Sequence, residues 1–174
     1  MLSRHTGHER DYGANPYESY DEPRRPPFLF NGEVDPRLPP KERVVGVTIG
    51  STARAYPFTL LAQQRVVSDT LGGQKLVVLY RPGALSALDH PRIAGSRAVG
   101  ATAVFDAALD GRALTFEAAG DDFRDRQTGS LWNLLGHAVR GPLAGKRLRP
   151  IPHVDGFWFA WAAFNPVTTV YAGP

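Results

Sequence analysis

The chain has no cysteine and one methionine among its 174 residues. Disulfides, thiolate nucleophiles, iron–sulfur clusters and cysteine-ligated zinc are therefore excluded. A single methionine excludes a methionine-rich copper site. No stretch approaches the roughly 20 apolar residues of a membrane-spanning helix, so no transmembrane segment is expected. Residues 1–10 are polar and lack the apolar core of a secretory signal. Neither phosphate-cradling signature, Gly-x-x-x-x-Gly-Lys-Ser/Thr or a strand-linked Gly-x-Gly-x-x-Gly, is present. The Gly-x-Ser-x-Gly elbow of the α/β-hydrolases is missing too. The formal charge is only +3, from 20 cations and 17 anions, so no nucleic-acid partner is expected.

What remains is a soluble chain, 43% hydrophobic, whose length suits one domain. Seven of its 15 prolines fall in the first 40 residues. Proline fixes its own φ and donates no backbone hydrogen bond, which bars long helix and central strand there. Residues 1–42 are therefore expected to form an extended arm, pinned by Phe28-Leu29-Phe30, on a domain spanning 43–174.

From Arg43 the pattern is β. Val45, Val47 and Ile49 alternate with Val44, Gly46 and Thr48. Gly50-Ser51 suits a tight turn into a strand over 53–58. One helical turn is expected over 59–64, then strands over 65–70 and 75–80 joined by Gly72-Gly73. Residues 81–100 read as a long loop with a short strand near 84–88. Residues 101–107 and 112–118, around Asp110-Gly111, form the clearest hairpin, and another pair is expected through 129–134 and 137–140. Near the end the period changes. Asp155 suits an N-cap for a helix over 156–164, with Phe157, Trp158, Trp161 and Phe164 on one face closing the core. Asn165-Pro166 ends it, and 167–171 is a last strand. The expected fold is mainly β: an antiparallel barrel or sandwich of hairpins with a short C-terminal aromatic helix and an N-terminal arm.

Few residues carry chemistry. Of the five histidines, His5 and His8 lie in the polar tail, and His90, His137 and His153 lack ligand spacing, so neither a metal site nor a cofactor is expected. Ser86, Asp89 and His90 are hydrolase residue types. Adjacent residues of an extended stretch point apart, which sets Asp89 away from His90. Glu117, Asp121, Asp122 and Asp125 read as a solvated acidic loop rather than paired catalytic carboxylates. Arg54 and Tyr56 share a strand face, where Arg54 suits a structural pair with Asp69 or Asp106. If there is a ligand pocket, it is expected where Arg81, Ser86, Asp89 and His90 meet Trp132, Asn133 and His137. Arg140, Lys146, Arg147 and Arg149 read as a solvated edge or as a docking patch for an acidic partner or anionic lipid surface. No aromatic residue interleaves them, which disfavours stacking on single-stranded nucleic acid.

Several stretches resemble, in order and spacing, the bacterial and archaeal family known as domain of unknown function 3179. They are Arg10-Asp11-Tyr12-Gly13, Asn15-Pro16-Tyr17, Arg37-Leu38-Pro39-Pro40-Lys41-Glu42-Arg43-Val44 and Arg54-Ala55-Tyr56-Pro57. Further along come Asp69-Thr70-Leu71-Gly72-Gly73, Phe105-Asp106 with Asp110-Gly111, Leu114-Thr115-Phe116, Thr128-Gly129-Ser130-Leu131-Trp132, Gly141-Pro142-Leu143-Ala144-Gly145 and the Trp158–Trp161 helix. Many proteins that look like this family carry Cys-Pro-x-Cys where this chain has Arg81-Pro82-Gly83-Ala84. Any metal or redox role of that pair is lost here, and Leu85-Ser86-Ala87-Leu88-Asp89 resembles the version of cysteine-free relatives. The resemblance implies a location outside the cytoplasm and brings no established activity. The function expected is a non-catalytic binding or interaction module, an accessory subunit with a protein partner or a second copy of itself. An enzyme with its site in the 81–90 loop near Trp132 is the alternative, and a cofactor or metal carrier a third reading.

Overall fold

The computed structural model describes Gly7 and residues 17–173. His5, His8 and the Arg10–Pro16 motifs lie outside the described residues. In chain order the elements are β1 (Arg43–Ile49), β2 (Thr52–Pro57), α1 (Phe58–Gln64), β3 (Val66–Leu71), β4 (Gln74–Arg81), β5 (Ala101–Asp106), β6 (Ala108–Leu109) and β7 (Arg112–Ala113). Then follow β8 (Phe116–Ala119), β9 (Asp122–Asp125), β10 (Leu131–Trp132), β11 (Ala138–Arg140), β12 (His153–Phe157), α2 (Trp158–Phe164) and β13 (Thr169–Val170). The chain is mainly β. Its three larger sheets, ordered β12–β1–β2–β13, β3–β4–β5 and β11–β10–β9–β8, do not close into a barrel.

Pleat alternation explains how the sheets stack. In β4, Leu76, Val78 and Tyr80 face the first sheet, packing with Val45, Val47 and Tyr56 and with Phe58 and Leu61 of α1. Val77 and Leu79 face the other way, onto Phe116, Phe123 and Trp132 of the third sheet. A strand buried on both faces reads as one continuous apolar run, as 76–80 does. In β1, Val44 faces outward, where Ala53 and Ala55 join Trp158, Trp161 and Ala162 of α2 in a third core. Gly46 lies under Trp161: a Cβ there would sit 2.2 Å from the indole. Only glycine lets the ring lie on the backbone.

Several expected elements differ. The 101–107/112–118 hairpin does not form, because β5 spends both edges elsewhere. One edge pairs with β4, Arg81↔Ala101 to Leu76↔Asp106. The other receives Asp106 N–H to Arg149 O and Ile151 N–H to Val104 O, both 2.9 Å. The Asp110-Gly111 turn, with φ of 49° and 77°, closes only the short β6–β7 ladder, extended by the Leu114 amide on Ala107 O at 2.7 Å. The strand near 84–88 reduces to a single bridge, Leu85↔Ala98. Asp155 caps nothing. It sits within β12 opposite Val45, accepts the Thr102 hydroxyl at 2.6 Å, and α2 begins three residues later. With that start the buried face is Trp158, Trp161 and Ala162. Phe164 falls on the opposite side and is 87% exposed. The last strand is shorter than expected and pairs parallel to β2, Thr169↔Arg54 and Val170↔Ala55.

The arm is held differently from expectation. Phe28 and Leu29 are exposed; Phe28 packs edge-on to Tyr20 within the arm at 5.3 Å, and of that trio Phe30 reaches the domain, edge-on to Phe159 with ring centroids 5.1 Å apart. Tyr20 also packs edge-on to Phe157, with centroids 5.9 Å apart, and polar groups fix the arm beside these rings. Ser19 and Tyr20 amides donate to Asp89 O and Leu88 O at 2.9 and 3.0 Å. Residues 40–42 serve both helices: Pro40 O and Glu42 O accept the Phe159 and Trp158 amides at 2.9 and 2.8 Å. The Glu42 carboxylate accepts the Thr59 amide of α1 at 3.1 Å. Those amides have no partner within their own helices.

Candidate functional site

Asp21, Lys41 and Glu42 are buried where the arm meets β1, α1 and the 84–99 loop. Burying ionised groups is costly unless each is paired, and the local contacts show how this is met. Asp21 Oδ2 accepts Ser86 Oγ–H at 2.5 Å and an Arg43 Nη2 proton at 3.1 Å. Arg97 Nη2 lies 2.9 Å from Asp21 Oδ1 and donates to Asp21 O at 2.6 Å. Burial pushes the Asp21 pKa up, but Ser86, Arg43 and Arg97 together outweigh it and hold the carboxyl below its ordinary value. Lys41, 1% exposed, donates from Nζ to Tyr20 O at 2.6 Å, with the ammonium 3.9 Å from the Tyr20 ring centroid. Burial lowers its pKa.

These groups border an open cleft of about 190 Å³. Lys41, Arg43 and Arg97 supply positive charge to its wall, and Phe58, Ala62 and Tyr80 supply an apolar floor. Tyr80 Oη–H donates to Val99 O at 3.1 Å, which holds the loop against the floor. Arg43 Nε is buried without a hydrogen-bond partner. The Arg97 side chain is 41% exposed, and its Nη1 comes only within 3.7 Å of Asp89 Oδ1.

A sequence model of the family described as "Protein of unknown function (DUF3179)" matches residues 1–168. The chain belongs to this family. No curated protein and no solved structure matches it. As a cysteine-free member of DUF3179, it has Arg81 exposed at the end of β4, opposite Ala101, where the resemblance puts the first sulfur elsewhere.

The other residues singled out from the sequence divide between two places. Ser86 and Asp89 join the arm: Ser86 binds Asp21, and Asp89 Oδ2 accepts the Arg97 amide at 2.7 Å. His90 Nδ1 accepts the Arg92 amide at 3.1 Å, a bond local to the loop. Trp132, Asn133 and His137 belong to the third sheet. Trp132 is fully buried and donates from Nε1 to Asp125 Oδ2 at 2.8 Å. Asn133 Oδ1 accepts the Leu135 and His137 amides at 3.0 and 3.1 Å, shaping the turn before β11. Asp125 is thus no solvated loop residue: it is fully buried and also takes the Thr128 hydroxyl. Arg54 Nη1 and Tyr56 Oη both donate to Asp69 Oδ2, at 2.5 and 2.8 Å. Burial raises the Tyr56 pKa, and the bond to Asp69 raises it further. In the basic segment, Arg149 pairs with Asp106 and Lys146 with Asp110 at 2.9 Å, while Arg140 and Arg147 are exposed. Among the described residues no group of three or more His, Asp or Glu side chains is placed to hold a metal ion. Among them, too, no helix is long and apolar enough to cross a membrane.

Sequence reasoning missed Asp21, Lys41, Arg43 and Arg97. One signal was available: Lys41-Glu42-Arg43, three charges in a row, runs directly into the apolar strand Val44–Val45. Charges abutting a buried strand must find partners nearby.

Proposed function

We propose that this protein is a non-catalytic binding module whose ligand site is the cleft between the arm, α1 and the 97–99 segment. One observation carries the reading: Arg97, its side chain 41% exposed and its Nη1 no nearer than 3.7 Å to Asp89, stands beside Arg43 on the wall of an open, half-apolar cleft. A ligand there would give Arg97 Nη1 the charge-assisted hydrogen bond that Asp89 does not. The groups that resembled catalytic ones are committed to structural partners: Ser86 to Asp21, Asp89 to Arg97, and Asp125 to Trp132. That favours binding over acid–base chemistry. This reading makes the chain an accessory component of a larger assembly outside the cytoplasm, the location that the family resemblance implies.

The test is a thermal-shift screen of small molecules on the native chain and on Ala98→Trp, which fills the cleft from an exposed position. A true ligand at a hundredfold excess over Kd raises Tm by roughly 5–11 °C, and Ala98→Trp loses the shift. No stabilising compound, or equal shifts in both proteins, would overturn the reading.

A further inference from the structure

We infer that the ligand of this cleft is a small carboxylate with an apolar body, its charged end on Arg43 and Arg97 and its body against Phe58, Ala62 and Tyr80. The inference rests on the reading of the cleft as the ligand site and names what fills it.

Charge points to an anion. Three cations line the cleft, Lys41, Arg43 and Arg97, against two carboxylates, Asp21 and Glu42. The Glu42 carboxylate takes the Thr59 amide, and Asp21 is bonded to Ser86 and ion-paired with both arginines, although its buried Oδ1 accepts no hydrogen bond. Asp21 is thus neutralised by two cations and its Oδ1 is closed off from the cleft, whereas the arginines still have donors to give. Arg43 forms its side-chain hydrogen bonds through Nη2 alone, which leaves Nη1, and Arg97 Nη1 reaches Asp89 only at 3.7 Å, beyond hydrogen-bond range. Guanidinium donors on neighbouring positions match the two oxygens of a carboxylate.

Shape and surface point to the body. Phe58, Ala62 and Tyr80 present carbon to the cleft, with Ala98 and Val99 beside them, so a bare inorganic anion would leave that surface wet. A volume of about 190 Å³ equals that of roughly six liquid waters, enough for a short-chain acid.

The test titrates butyrate, its neutral isostere butyramide and the cation butylammonium into the native chain, following backbone amide NMR shifts. Butyrate is expected to give saturable shifts at Arg43, Arg97 and Val99, with butyramide and butylammonium at least tenfold weaker. Arg97→Gln should weaken butyrate about 10–100-fold, the loss of a charge-assisted contact, and Arg97→Lys should recover part of it. Ala98→Trp should abolish the shifts. Butyramide binding as tightly as butyrate, in a manner blocked by Ala98→Trp, would overturn the carboxylate while leaving the binding reading standing. Butyrate shifts that survive Ala98→Trp, or no butyrate shifts at all, would overturn the inference. If Arg97→Gln disturbs folding, its butyrate-free spectrum shows it, and the comparison of butyrate with butyramide on the native chain still decides.

Discussion

On one face of the β12–β1–β2–β13 sheet, α2 lays Trp158 and Trp161 over Val44 and Gly46. At the N-terminal end of β1, the arm is fastened by a buried carboxylate between two arginines and folded on itself by a buried ammonium over a tyrosine ring. The first attachment depends on shape. Its energy comes from close packing, and it tolerates almost no added volume. The second depends on charge, and its partners sit on the rim of an open cleft. The contrast teaches that rigid and adjustable parts of this fold use different chemistry. A packed indole has one place to be, whereas a guanidinium can exchange one oxygen for another.

The comparison breaks most visibly at Gly46. Gly46→Val places carbon where the Trp161 ring lies and is expected to cost about 3 kcal/mol or more in urea unfolding. A loss below about 1 kcal/mol would show that α2 can lift away cheaply. Asp21→Ala comes next. It removes the acceptor shared by Arg43 and Arg97, whose side chains are partly exposed, so about 2 kcal/mol of local stability is expected to go. Proteolysis within residues 17–30 should then quicken more than tenfold while the Trp161 environment, followed by its indole NMR signal, stays native. Proteolysis unchanged from the native chain would mean that the arm is held by its backbone bonds alone.

Acid should separate the two attachments without mutation. Asp21 has a folded pKa below its ordinary 3.8. Its contribution is therefore complete above that value and is lost as pH falls through the lower, folded pKa. The Trp161–Gly46 contact has nothing to titrate. Between pH 5 and pH 2.5 the Tyr20 amide should lose protection from hydrogen exchange before the Trp161 indole does. Simultaneous loss would show that arm and body unfold as one unit. The smallest effect is expected at Phe164→Ser. With 87% of the ring exposed, the change should fall within about 0.5 kcal/mol. A larger loss would place Phe164 in a contact with another molecule.

Much of the body was legible because local signals and tertiary structure agree there. Gly50-Ser51 and Gly72-Gly73 do close hairpins, and the apolar run of β4 is buried on both faces. The hairpin around Asp110-Gly111 misled because turn chemistry states only that the chain reverses. Which strand takes the edge of β5 is settled by residues 149–151, some 40 positions later. Asp155 misled in the same way: an N-cap signal is local, and pairing with β1 outweighs it. The site was half legible. Ser86 and Asp89 stood out by residue type, but Asp21 and Arg97 did not, because the bonds of Asp21 to Ser86 and to Arg97 cross 65 and 76 positions and leave no periodic trace. Trp132 was expected at a pocket because it stands beside a turn, and its large apolar ring is fully buried in the core.

Composition draws a border at residue 42, where the proline-dense stretch ends and alternation begins, and the helices ignore that border. Pro40 and Glu42 complete the first turns of α1 and α2, so the segment before β1 is the terminus on which both helices close. A polypeptide cut to begin at Arg43 would retain every strand and yet leave three helical amides without acceptors. The smallest self-sufficient unit of this protein therefore starts upstream of its first strand, within the stretch that looks like a tail.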